Sequence, residues 1–268
     1  MKKSSALIIA LAVMACGCAS KPKVLVVYYS QTGNTKAVAE EIQQQLGADI
    51  VELKVQDPYP DDFMETVVRG KMEIDSNRYP ALVNGKVDVS KYDMVFIGYP
   101  VWFGTYAPPI TTFLRANDLS GKILVPFATF GSGGLRSSSD DLRKACPNAT
   151  VKPGFGIRAM RMDALKDELT YFLVQNDYIK GDKSNEPEYS AMRELTDDDR
   201  AVFQEAAGDY KMVKPQPVSV ATRKFHGTQY HFRCNAPGPD GSVGPMDVYV
   251  TQPESGKAYF TLMERFSY

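Results

Sequence analysis

Val24-Leu25-Val26-Val27-Tyr28-Tyr29-Ser30-Gln31-Thr32-Gly33-Asn34-Thr35 is the stretch whose reading decides the fold. Its first half is apolar at every position, as a strand buried on both faces requires. Its second half is a hydroxyl-rich loop with a single glycine. The segment that follows, Lys36 to Leu46, places Val38, Ile42 and Leu46 on one stripe at four-residue spacing, which predicts a helix packed on a sheet. A strand, such a loop and then a helix make an anion site, because loop amides and the helix N-terminus point at the ligand. The anion expected is a phosphate, held with no Arg or Lys in the loop.

Outward from this point the alternation continues to about Lys180. Strands are expected at 24–30, 49–55, 94–98, 122–130 and 150–157, and helices at 36–46, 61–75, 108–116, 139–145 and 164–175. Five strands with crossover helices predict a doubly wound, five-stranded parallel α/β domain over 23–180. Ligands of such sheets bind at the C-terminal edge of the strands. Two more loops belong there. Gly98-Tyr99-Pro100-Val101-Trp102-Phe103-Gly104 offers aromatic faces, and Ala128-Thr129-Phe130-Gly131-Ser132-Gly133-Gly134 offers glycine backbone and small hydroxyls. Together the three loops suit a flat aromatic ring system with a phosphate tail. A Gly-x-Gly-x-x-Gly fingerprint is missing after the first strand, and so is a Gly-x-x-x-x-Gly-Lys-Ser/Thr loop, which argues against dinucleotide binding and against an NTPase. Both histidines, His226 and His231, lie beyond the α/β region, which excludes histidine acid–base chemistry within it.

Tyr-Ser-x-Thr-Gly-Asn-Thr after the first strand, Gly-Tyr-Pro-x-Trp-x-Gly after the third and Gly-Ser-Gly-Gly after the fourth resemble a flavodoxin over roughly 24–175, in particular the bacterial group with an aromatic pair in the second loop. The resemblance implies FMN. It implies phosphate contacts from Ser30, Gln31, Thr32, Gly33, Asn34 and Thr35. Pro100, Val101, Trp102, Phe103 and Gly104 would line one side of the ring, and Thr129, Phe130, Gly131, Ser132, Gly133 and Gly134 the other. Bland roles compete: Trp102 as a core residue, Phe130 as a strand end in the core, the glycines as turn formers. Arg158 and Arg161, after the fifth strand, are expected on exposed carboxylates rather than on an anionic substrate. Two departures stand out. Residues 21–180 carry 19 Lys+Arg and 19 Asp+Glu, where many flavodoxins are acidic, so steering to a basic partner would be weak. The third loop has no Tyr to stack on the ring.

The whole chain has 268 residues and a formal net charge of -1, with no charge run that would argue for nucleic acid. Lys2 and Lys3 precede an apolar stretch from Ala6 to Ala15, too short to span a bilayer permanently. Val13-Met14-Ala15-Cys16 resembles a bacterial lipobox, with Cys18 as runner-up, so 1–22 reads as a lipoprotein signal and tether. The expected address is the cell envelope. Cys146 and Cys234 share no motif spacing and are expected as buried thiols, with a bridge between them the alternative. A polar linker, 181–191, precedes a different texture. Thr196 reads as the N-cap of a helix, followed by three alternating segments around Tyr230–Cys234, Val248–Val250 and Phe260–Leu262, with Phe260 and Leu262 sharing a face. His226 and His231 read as exposed strand residues. Arg193-Glu194-Leu195-Thr196 and the run Val220 to Tyr230 resemble a cystatin-type α+β domain over 192–268. The functional expectation is an FMN-dependent electron carrier that meets a redox protein or a small-molecule acceptor. A flavin-dependent quinone or NAD(P)H oxidoreductase and an envelope binding or inhibitor lipoprotein are the alternatives. No metal site and no catalytic side chain are expected.

Overall fold

The computed structural model describes residues 22–131, 134–183, 187–207, 214–225, 227–238, 241–254 and 256–265, Arg265 by its backbone alone. The lipobox cysteines, Ser132, Gly133 and His226 fall outside them.

The first half builds one sheet from β1 (Val24–Tyr28), β2 (Asp49–Glu52), β3 (Met94–Trp102), β4 (Thr105–Tyr106), β5 (Ile123–Phe130), β6 (Thr150–Val151) and β7 (Phe155–Arg158). The order is β2-β1-β3-β5-β6, with β7 also on β5 and β4 on β3. All pairings are parallel except β3–β4. The expected fifth strand is thus broken in two. Pro153 has no N–H to give the ladder, and a Cβ on Gly154 would fall 2.3 Å from the carbonyl of Pro126, so the chain bulges there.

Helices cover both faces. α1 (Asn34–Leu46) and α5 (Leu165–Gln175) bury Val38, Ile42, Leu165, Leu169 and Leu173 against Val26, Phe96, Val125 and Phe127. α3 (Pro108–Ala116) and α4 (Arg136–Ala145) bury Ile110, Phe113 and Leu142 against Leu25, Val95, Ile97 and Leu124. These two clusters are the two sides of apolar strands, which is why the strands show no alternation. α2 (Phe63–Asp75) differs: it buries only Thr66 and Gly70, while Phe63, Met64, Val68 and Met72 face outward.

The second half is a separate antiparallel sheet, ordered β11-β10-β9-β8, of β8 (Gln216–Lys224), β9 (Thr228–Pro237), β10 (Val243–Gln252) and β11 (Tyr259–Arg265). α6 (Asp197–Ala207) lays Val202, Phe203 and Ala206 on it, and the Phe203 ring meets Phe232 at 4.9 Å. Four strands stand where three were expected. β8 went unread because it buries only Val220 and Ala221 and slips register between Pro217 and Ser219. A second bulge leaves Thr261 unpaired, since Val250 pairs Phe260 while Tyr249 pairs Leu262. Phe260 is therefore buried and Leu262 exposed, on opposite faces rather than one.

His231 also departs from expectation. Its side chain is 17% exposed, stacks on Tyr249 at 4.5 Å and sits 3.1 Å from Asp247. Cys146 and Cys234 are both free thiols. Cys234 is buried, and burial pushes its thiol up to about 12.

Candidate functional site

Register brings the three loops together. Tyr28 pairs Gly98, Gly98 pairs Phe127, and Phe127 pairs Phe155, so β1, β3 and β5 leave the sheet side by side at its C-terminal edge. A Cβ on Gly98 would meet the Phe127 ring at 2.0 Å, so only glycine fits in this row.

In the first loop Gly33 takes a φ of 89° at the start of α1 and donates its N–H to Ser30 Oγ at 3.1 Å. No side chain caps the helix and no acidic residue stands in its first turn. The first-turn amides of a helix have no intrahelical acceptor, so this end carries positive potential with nothing negative to quench it. Thr32 and Gly33 are exposed and Ser30 and Asn34 half-buried, within reach of a ligand. Thr35 is buried and bonds Thr129 through their hydroxyls at 2.8 Å, tying the first loop to the end of β5. Gln31 uses its side chain on Tyr29 Oη and the Pro60 carbonyl. With its side chain so engaged, Gln31 offers a phosphate its backbone.

The second loop is a hairpin. β3 runs on through Trp102 and turns back into β4 through Phe103 (φ 53°) and Gly104 (φ 80°), both left-handed as a two-residue hairpin of this twist demands. Trp102 is half-buried against the core. It meets Tyr59 and Tyr29 edge-on at 5.0 and 6.1 Å, and its ring covers Gly70, where a Cβ would come to 3.1 Å. Tyr59 is held in turn by Glu73 and by the Arg69 guanidinium 4.3 Å over its ring. Burial, and for Tyr59 the bond to Glu73, hold both tyrosine hydroxyls above their ordinary range, so both stay protonated. Phe103 is the exposed member of the aromatic pair, at 49%. Trp102 is the anchor and Phe103 the presented ring.

In the third loop Thr129 is buried, and Phe130 is half-buried on Gly156, whose Cβ would lie 2.9 Å from its ring. Phe130 therefore ends a strand in the core. Gly131 is exposed and Gly134 has a φ of 66°. α4 follows at once, and Ser137 Oγ stands 4.0 Å from where a Cβ of Gly104 would be, so the start of α4 lies against the second loop. Arg158 is 6% exposed. Its Nε donates to the Gly131 carbonyl at 2.7 Å and its Nη1 to the Phe260 carbonyl at 2.6 Å. An exposed carboxylate was the expected partner; these two bonds go to backbone carbonyls instead. Arg161 does meet a carboxylate, Glu168, but a largely buried one, and it lies 4.3 Å over the Tyr259 ring.

The profile of the flavodoxin family matches residues 23–175, more than half of the chain. The chain belongs to the flavodoxin family. Among solved structures, a flavoprotein from Bacteroides eggerthii is 32% identical with a TM-score of 0.49, covering 56% of this chain and 96% of its own. A second, from Bacteroides uniformis, is 26% identical with a TM-score of 0.51, at 56% and 99% coverage. A flavoprotein from Lactobacillus acidophilus, described in complex with FMN, is 26% identical with a TM-score of 0.47, at 54% and 98% coverage. No curated protein matches.

One support of this flavodoxin's site, Gly70, was missed in the sequence, and another, Arg158, was named there without its partners. Gly70 sits in the interior of α2, where glycine costs about 1 kcal/mol against alanine; that alone signals a close neighbour. Arg158 left no local signal, since its second partner lies 102 positions away. Among the described residues no cluster of ligating side chains could hold a metal, and no helix is long and apolar enough to cross a membrane.

Proposed function

We propose that this flavodoxin binds FMN between the three loops and works as an electron carrier in the cell envelope, anchored by a lipid on Cys16 or else Cys18. The observation that carries the reading is the convergence of an uncapped, acid-free helix N-terminus, an exposed aromatic hairpin and a glycine-bearing loop on one sheet edge. These residues fit the cofactor. Gly33, Ser30, Thr32 and the first-turn amides of α1 would take the phosphate. Pro100, Val101 and Phe103, braced by Trp102 and Gly104, would face one side of the ring. Thr129, Gly131 and Gly134, with Ser132 and Gly133, would face the other. FMN when bound supplies one- and two-electron chemistry; the chain fixes the ring's position, its access to water and the dipoles around it.

Purified protein is expected to show flavin absorbance, or to gain it on adding FMN, and to take up electrons in a reductive titration. A colourless protein that ignores FMN would sink the proposal. The anchor is checked by fractionation: a Cys16→Ser, Cys18→Ser chain should leave the membrane fraction.

The helix laid across four antiparallel strands supports reading the second half as a cystatin-like scaffold. In that reading the β8–β9 turn occupies the place of a protease-directed hairpin. Here Phe225 in that turn packs on Tyr171 of α5 at 5.3 Å, which favours internal docking over inhibition. Absence of inhibition of a papain-like protease by the full chain is the expected result.

A further inference from the structure

We propose that the second domain is part of the flavin site: β11 positions the third loop through Arg158, so FMN binding and the packing of the two domains are coupled. The proposal rests on FMN lying between the three loops.

Three arginines of the first domain meet β11 in sequence. Arg161 covers Tyr259 at 4.3 Å, Arg158 bonds the Phe260 carbonyl at 2.6 Å, and Arg136 approaches Glu264 at 4.0 Å. β11 thus runs along the margin of the third loop. It passes from the turn after β7 to the first residue of α4. The two outer contacts are peripheral, and the Arg136 side chain is 91% exposed. The middle one is different. Arg158 is nine-tenths buried, and one planar guanidinium joins the carbonyl of Gly131, inside the third loop, to a carbonyl of the other domain.

Bonds from a charged donor to carbonyls are short and strong, and the rigid fork of arginine passes the orientation of one acceptor to the other. Undocking β11 would give up the bond between the Arg158 guanidinium and the Phe260 carbonyl, and a bond from a charged donor contributes more than a neutral one, so it favours the docked chain. Whatever fixes Gly131 therefore favours a docked β11, and a docked β11 fixes Gly131. A cofactor that touches the third loop must then bind more tightly to the docked chain, and by linkage must tighten the docking to the same degree. Arg158 is a positioning residue in this scheme; it acts on the cofactor through Gly131.

A merely structural staple would hold the domains together without this reciprocity, and the full-length chain tells the two apart. Wild-type protein, Arg158→Gln, and a Tyr259→Ala, Glu264→Lys double variant are titrated with FMN. Amide exchange across residues 259–265 is followed with and without FMN. The double variant leaves every residue of the first domain in place, so it carries the test if Arg158→Gln does not fold. The expected result is FMN affinity weakened at least tenfold by Arg158→Gln and at least threefold by the double variant. Exchange in β11 should slow severalfold on FMN binding in wild type and not in Arg158→Gln. Affinity within twofold of wild type in a folded variant, or β11 exchange indifferent to FMN in wild type, overturns the coupling. A wild type that binds no FMN overturns the site reading along with it.

Discussion

Single atoms decide the tolerances at the sheet edge. Gly98 has the Phe127 ring where a methyl would go, in a row of fully buried neighbours. Gly98→Ala is expected to cost about 3 kcal/mol, read as a drop in urea midpoint at constant slope, because neither strand can yield without its partners. Phe103 presents the opposite case. It is a bulky residue held left-handed at half exposure, a strained state that stability alone would not select. Phe103→Gly should leave the midpoint unchanged or raise stability by about 1 kcal/mol while weakening FMN binding. Loss of stability with unchanged affinity would mark the ring as packing only. Trp102 offers a direct reporter, since it is the only tryptophan of the chain. Its emission should fall on titration with FMN, and an unchanged spectrum would place the flavin elsewhere.

Among the elements, α6 shows how one cap is built and what acid does to it. Thr196 Oγ accepts from the Asp199 amide at 3.2 Å, and Asp199 accepts from the Thr196 N–H at 2.8 Å, a reciprocal cap. Arg193 adds a fork at 2.5 and 3.0 Å, and it is the first cause holding the Asp199 carboxyl down at about 2. The folded value lies below the unfolded one, so the stabilisation is complete above pH 4 and is lost as pH falls toward 2. It amounts to about 2 kcal/mol. An acid titration should show this loss in wild type and a flatter profile over that window in Asp199→Asn. The cap was legible in sequence because Thr-x-x-Asp is local. α1, α3 and α5 were legible for a similar reason: their apolar stripes sit on sheet-facing positions, and α3 begins and ends where its sequence says, whereas α2 turns its apolar residues outward. Strands whose pairing is set by distant partners were harder. β8 offers only Val218 and Val220 in alternation and its register slip turns Val218 outward, the fifth strand gave no warning of its break beyond Pro153-Gly154, and the bulge at Thr261 depends on the register of β10. At the site, the loops and their order were legible, but not which aromatic ring is anchored or where Gln31 spends its amide. Those depend on Tyr59, Gly70 and Pro60, which only the fold brings near.

Across the whole molecule, two sheets that share no strand are joined by contacts at the margin of the site. If Arg158, Tyr259 and Tyr171 tie them as described, unfolding should be a single event. Trp102 emission, which reports the first sheet alone, and far-ultraviolet dichroism, which reports both, should give coincident thermal curves. Separated midpoints would show two independent domains. The bare end of α1 has one more consequence. The loop at Ser30–Thr35 has no cationic side chain, and the surrounding 160 residues balance their charges. Attraction that relies on opposite net charges dies away as ions crowd between them, whereas amides and hydroxyls in contact with their acceptor leave those ions little to screen. A binding site of this kind is buffered against the salinity of its surroundings. The FMN dissociation constant should change by no more than about threefold between low and half-molar salt, where a lysine- or arginine-built cradle would lose far more.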